Sequence, residues 1–263
     1  MELGLDDKVA LVAASSRGLG YAIAHELAAE GAAIVMCARD EARLVEAARE
    51  IAAATGARVV PVAADVAKPG DVANLAGEAI AAFGRVDVLV TNSGGPPPGT
   101  FDSASPEAWK AAVDVVLTSA VELIRAALPG MKERRFGRIL NVTSITVKQP
   151  VENLILSNAL RAAVTGMARS LANEVASFGI TVNNLLPGYT RTERLTELAT
   201  ASAGRTGGTP AAFYDRLESE IPARGLGEPR ELAALAAFLA SERAGYVTGQ
   251  SIAVDGGWIR GLF

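Results

Sequence analysis

Seven short apolar runs recur along the 263 residues, separated by segments rich in Ala, Leu and Glu. They are 9–14 (VALVAA), 33–38 (AIVMCA), 58–64 (RVVPVAA), 86–92 (VDVLVTN), 137–143 (GRILNVT), 180–186 (ITVNNLL) and 251–255 (SIAVD). Most are continuously apolar rather than alternating, the pattern of strands buried on both faces. The intervening segments carry apolar residues at helical spacing, and Leu19, Ile23 and Leu27 form one such face. Strand–helix alternation of this kind implies a parallel sheet with helices on both sides. An α/β fold with a single domain over residues 1–263 is expected, and half the residues are hydrophobic, enough for a large core. One segment breaks the alternation. Residues 193–226 contain ATASAGRTGGTP, then a short amphipathic piece, AAFYDRLESEIP. A connection this long reads as a lid or binding loop.

Composition narrows the function classes. The net charge is −4 and no dense Lys/Arg run occurs, which argues against nucleic acid as a partner. No run of about 18 apolar residues is present, so no membrane span is expected. The opening MELGLDDK lacks an apolar signal core, and Cys37 is the only cysteine, so a cytoplasmic protein is expected. Cys37 ends the run AIVMC and reads as a small buried filler. His25, the only histidine, lies two residues beyond Ile23 and points away from that buried stripe. No metal site is expected.

The first strand runs directly into Ala13-Ala14-Ser15-Ser16-Arg17-Gly18-Leu19-Gly20, and a helix follows. A Gly-rich turn between strand and helix brings backbone amides close to a pyrophosphate and sets that anion at the positive end of the helix. The second strand ends in Cys37-Ala38-Arg39-Asp40. Arg39 and Arg17 together favour a 2′-phosphate, hence NADP(H) over NAD(H). Two solvated arginines, or Asp40 taking the ribose, are the alternatives.

These residues carry a resemblance to the short-chain dehydrogenase/reductases, over nearly the whole chain. The supporting segments are Gly18-Leu19-Gly20, Ala64-Asp65-Val66, Thr91-Asn92-Ser93-Gly94, Pro187-Gly188 with Thr192, Arg224-Gly225-Leu226-Gly227-Glu228-Pro229 and Val254-Asp255-Gly256-Gly257. The resemblance implies a Rossmann-type doubly wound parallel sheet and a homo-oligomer, dimer or tetramer. It further implies adenine contact by Asp65 and Val66, ribose contact around Asn92, Ser93 and Gly94 with Arg161, and nicotinamide packing against Pro187-Gly188, near Thr190 and Thr192. The family usually opens its glycine turn with Thr-Gly, where this chain has Ala13-Ala14. Because both later glycines are kept, the turn is expected not to need a left-handed backbone at the alanine.

The same resemblance implies a catalytic group of Asn, Ser, Tyr and Lys. Ser144, in Asn141-Val142-Thr143-Ser144, matches the serine. Ser157 stands at the tyrosine position, Arg161 at the lysine position and Val116 at the asparagine position. This pattern resembles an atypical branch similar to β-ketoacyl-acyl-carrier-protein reductases. A serine is a far weaker acid than a phenol, and an arginine stays protonated, so the usual proton relay is disabled as written. Lys148 and Tyr189 are candidate substitute acids: Lys148 if buried beside Arg161, Tyr189 because it follows Pro187-Gly188. The loop Gly94-Gly95-Pro96-Pro97-Pro98-Gly99 reads either as a stiff pocket wall or as a rigid connector.

Three functions follow from this. The first is an NADP(H)-dependent oxidoreductase acting on a small-molecule carbonyl or alcohol. The second is a non-redox enzyme (dehydration, cyclisation or isomerisation) on the same scaffold. The third is an NADP(H)-binding regulatory protein without chemistry.

Overall fold

The computed structural model describes residues 2–262. All seven apolar runs form strands: β1 (Val9–Val12), β2 (Ala33–Ala38), β3 (Val59–Ala63), β4 (Val88–Thr91), β5 (Gly137–Val142), β6 (Ile180–Pro187) and β7 (Ser251–Val254). They make one sheet in the order β3-β2-β1-β4-β5-β6-β7, and every pairing is parallel. Sequence neighbours β3 and β4 lie on opposite sides of β1. This reversal opens a crevice above the carboxyl ends of β1 and β4, the place where such sheets bind ligands.

Nine α-helices occur among the described residues: α1 (Gly18–Ala29), α2 (Glu41–Thr55), α3 (Pro69–Phe83), α4 (Pro106–Val113), α5 (Ser119–Arg134), α6 (Ile155–Val175), α7 (Glu193–Thr206), α8 (Pro210–Glu220) and α9 (Pro229–Ala240). Alternate residues of β1 supply the two faces. Ala10 and Val12 pack with Ile23 and Leu27 of α1, Leu44 of α2 and Leu232 of α9. Val9 and Leu11 pack with Leu75 of α3, Leu123 of α5 and Ala172 of α6. Cys37 lies in this second layer, fully buried, with its thiol pushed up to about 11 by desolvation. It is a packing residue, as expected.

Two features escape the hydrophobic pattern. Between α4 and α5 the chain makes one π-helical turn, Asp114–Thr118, which buries Val116. Such single turns often mark functional sites. A polar ladder also crosses four strands. Thr91 donates to Asn141 at 2.7 Å, Asn141 to Asn184 at 3.1 Å, and Asn184 to Ser251 at 3.0 Å. Thr91, Asn141 and Asn184 are buried, so this chain ties β4 through β7 together near the crevice at low dielectric, where hydrogen bonds are strongest and least dispensable.

The segment 193–226 is largely helical, contrary to the loop that ATASAGRTGGTP suggested. Thr192 caps α7 by accepting from the Leu195 amide, and Gly207 ends it in the left-handed conformation. Thr209 then caps α8 through the Ala212 amide. Leu195, Leu217, Ile221 and Leu226 pack with Ile145, Leu186 and Trp258. Small residues supply no period of apolar bulk, yet Ala and capped termini suffice for a helix once Leu195 and Ala199 have a surface to cover.

Candidate functional site

The turn after β1 carries the first half of the site. Ala14 lies in the left-handed region, at φ 48°. The expectation that the turn spares its alanine this conformation is therefore wrong. An L-residue is held there at a cost of about 1–3 kcal/mol, because the chain must reverse before α1 begins. Asn92 Nδ2 donates to the Ala14 carbonyl at 3.3 Å, tying β4 to the strained residue. A Cβ on Gly20 would lie 2.3 Å from that same carbonyl oxygen. Close approach thus explains the glycine.

Arg17 is the N-cap of α1, and no side chain caps the helix. The first amides of α1 therefore keep their hydrogens for an external acceptor, which suits an anion such as a pyrophosphate. Ser16 is half-buried beside them. Ser15 is instead turned inward: its hydroxyl donates to Val12 and accepts from the Cys37 amide. Asp65 holds its own turn by accepting from the Ala67 amide at 3.1 Å through one carboxylate oxygen, with Val66 half-buried next to it. Ser93 bonds the Gly94 carbonyl.

At the end of β2, Arg39 is exposed, and Asp40 caps α2 by accepting from the Arg43 amide at 3.1 Å. One Asp40 carboxylate oxygen is thereby engaged at the start of α2. Arg43 joins Arg17 here: both pair with Glu193, the first residue of α7. Neither Arg43 nor Glu193 stands out in the sequence, since 150 residues separate them.

The second half of the site lies over β5 and β6. Arg161 Nε donates to Ser157 Oγ at 3.2 Å, and Nη1 donates to the Val142 and Thr143 carbonyls at 2.9 Å each. Ser157 is buried. Burial, aided by the charge of Arg194, lowers the Arg161 pKa to about 10, so the guanidinium remains positive at neutral pH. Ser144 follows Thr143 directly, and its hydroxyl accepts from the Thr146 amide at 3.1 Å. Both serines accept hydrogen bonds, so both hydroxyl protons remain available to an acceptor. A shallow recess adjoins this group, lined by Thr91, Asn92, Val116, Ser119, Thr143 and Arg161. Ser119, one residue past the π turn, donates to Val115 at 2.6 Å.

The two candidate substitute acids sit in different surroundings. Lys148 is exposed, and the cation beside Arg161 is Arg194 instead. Tyr189 packs edge-on against Trp258, with ring centroids 5.5 Å apart, and desolvation pushes its phenol up to about 12.

The start of α7 reaches both halves. Arg194 Nη2 donates to the Pro96 carbonyl at 2.6 Å, and Gly99 pairs with Asn153 ahead of α6. The proline loop is therefore anchored at Pro96 and at Gly99. Thr192 lies over Gly18, where an added Cβ would meet the threonine methyl group at 3.7 Å. Gly188 bonds Val254, and a Cβ there would strike the Asp255 backbone at 2.6 Å. Pro187 ends β6 beside it, and Thr190 hydrogen-bonds back to the Gly188 carbonyl. Among the described residues, no three His, Cys, Asp or Glu side chains gather as metal ligands would.

Comparison with known proteins agrees with this geometry. The family of enoyl-(acyl carrier protein) reductases matches over residues 13–259. The chain is 35% identical to the 3-oxoacyl-acyl-carrier-protein reductase FabG of Vibrio cholerae, over 97% of this chain and 98% of that one. It is 31% identical to the NADPH-dependent reductase BacG of Bacillus subtilis, over 98% and 100%. The L-sorbose reductase of Gluconobacter frateurii, solved with NADPH and L-sorbose, superposes with a TM-score of 0.94 at 36% identity, covering all of both chains. Sheet order, glycine turn and full-length similarity together make this chain a member of the short-chain dehydrogenase/reductase superfamily.

Proposed function

We propose that the chain is an NADP(H)-dependent oxidoreductase interconverting a small-molecule carbonyl and its alcohol, with Ser144, Ser157 and Arg161 around the reacting oxygen. The observation that carries this reading is the Arg161 hydrogen-bond set, which joins Ser157 to the strand end that presents Ser144. The uncapped α1 amides, the glycine turn and Asp65 would hold the dinucleotide, and Arg17, Arg39 and Arg43 its 2′-phosphate. When bound, the cofactor supplies or accepts the hydride.

The protein's own residues handle the oxygen. Ser144 and Ser157 donate hydrogen bonds to it, and Arg161 stabilises the negative charge that develops there in the reduction direction. Ser157 gives its proton to the substrate alkoxide. Arg161 Nε–H then holds the resulting serine alkoxide until water reprotonates it. Val116 supplies no hydrogen bond, so the proton path passes through Ser157 and solvent. The 193–226 segment acts as the lid. We further read the chain as a homo-oligomer, by its membership of the superfamily, and as a protein of a reducing compartment, in keeping with its single, buried cysteine.

Oxidation of NADPH with a panel of ketones tests the function. Ser144→Ala is expected to lower kcat/KM about 10²-fold, the cost of one donor to a developing oxyanion. NADPH binding without turnover, and indifference to Ser144→Ala, would instead identify a regulatory binder. Tyr189→Phe is expected to leave kcat and its pH profile within about threefold. A loss of 10²-fold or more, the usual worth of a general acid, would make Tyr189 the proton donor.

A further inference from the structure

We infer that Glu193 is an internal competitor for the cofactor's 2′-phosphate and sets how strongly the chain prefers NADP(H) to NAD(H). The inference rests on the cofactor placement proposed above and goes beyond it, to a residue of the lid.

Glu193 uses both carboxylate oxygens, Oε2 on Arg17 and Oε1 on Arg43. Its partners come from separate segments, the glycine turn and the first turn of α2. Arg39 stands exposed at the end of β2 and has no ion-pair partner among the described residues. Asp40 caps α2 through one carboxylate oxygen. Arg17 and Arg43 thus meet beside the crevice, Arg39 follows β2 close by in sequence, and the carboxylate that pairs with the first two comes from the lid.

A carboxylate bridging two arginines uses the same charge-assisted chemistry as a phosphate. A 2′-phosphate carries more charge and three acceptor oxygens, so it can engage Arg17, Arg39 and Arg43 together. Arg17 and Arg43 cannot give the same N–H groups to both anions. NADP(H) must therefore break the Glu193 pairs, whereas NAD(H), with only hydroxyls at that position, leaves them intact. Glu193 consequently weakens NADP(H) binding selectively. The three side chains are about half exposed (49%, 45% and 49%), so the competition is modest.

The arrangement also links cofactor identity to the lid. Glu193 tethers the first turn of α7 to one side of the crevice, and Arg194 tethers it to the proline loop on the other. Arrival of the 2′-phosphate releases the first tether and leaves the second.

Fluorescence titration of the full chain with NADPH and NADH, at fixed low ionic strength, tests the inference. The proteins compared are the parent, Glu193→Gln, Arg43→Gln and the double variant. Glu193→Gln is expected to tighten NADPH binding about three- to tenfold, the scale of two partly exposed ion pairs, and to leave the NADH Kd unchanged. Arg43→Gln is expected to weaken NADPH, and in that background the gain from Glu193→Gln shrinks. Equal weakening of both nucleotides by Glu193→Gln would make the residue a lid latch and overturn the inference, as would an unchanged NADPH Kd. Failure of either nucleotide to bind any of the four proteins would overturn the cofactor placement itself, and the inference with it.

Discussion

Arg161→Ala is expected to lower kcat/KM for carbonyl reduction by about 10²–10³, the largest single loss at the chemical end. Two effects combine. On the proposed mechanism the variant removes the positive charge beside the developing oxyanion, and it removes the donor that holds Ser157. It also leaves the Val142 and Thr143 carbonyls without the Nη1 donor they share. A buried group so deprived costs about 1–3 kcal/mol, so a lower Tm is expected as well. Arg161→Lys separates the two contributions. An ammonium restores charge but cannot span Ser157 and two carbonyls with a planar fork. Recovery of part of kcat/KM without recovery of Tm is the expected result. An Arg161→Ala enzyme within tenfold of the parent would remove Arg161 from the chemistry.

Gly20→Ala is expected to weaken NADPH binding by about 10²-fold or more. The added methyl would stand 2.3 Å from the Ala14 carbonyl oxygen and 2.9 Å from Asn92 Nδ2. Neither neighbour can yield easily. Ala14 is already in the left-handed region, and Asn92 is held at the end of β4 by its bond to that carbonyl. The start of α1 must therefore move, and its free amides lose their alignment on an anion. Overpacking of this kind costs about 1–3 kcal/mol, so Tm should fall by several degrees, roughly 2–4 °C per kcal/mol for a chain of this size. Gly77→Ala is the control: its Cβ meets nothing within 4 Å, and it should leave NADPH binding unchanged. Parental affinity in Gly20→Ala would mean that the turn does not hold the cofactor.

The fold is readable because its strands are buried on both faces. VALVAA, AIVMCA and ITVNNLL are long enough and apolar enough to be recognised without knowing their neighbours. The glycine turn is readable for the same local reason, but its strain is not. Keeping Gly18 and Gly20 says nothing about the φ of Ala14, which the strand ahead and the helix behind decide together. The helix through ATASAGRT is hidden because Ala, Ser and Gly carry no amphipathic period; its caps, Thr192 and Gly207, are the available signal.

Side-chain partnerships are the least legible. Arg43 and Glu193 look like ordinary helix charges until topology brings their helices together. Arg194 meets Pro96 across 98 residues. Lys148 resembles a nearby acid in sequence, yet the short helical turn at Ile145–Val147 leaves it exposed, and an arginine of α7 lies beside Arg161 in its place. Ser157 and Arg161 can be paired from sequence because four residues is about one helical turn. What a helix register cannot supply is their third partner, the carboxyl end of β5.

Calorimetric titration of the full chain with NADPH, set against NADH, tests the central claim most directly. A phosphorylated dinucleotide gripped by the α1 amides and three arginines predicts one-to-one binding, with NADPH tighter by about tenfold or more from the charge-assisted contacts of its 2′-phosphate. No heat of binding with either nucleotide, or equal affinity for the two, would contradict it.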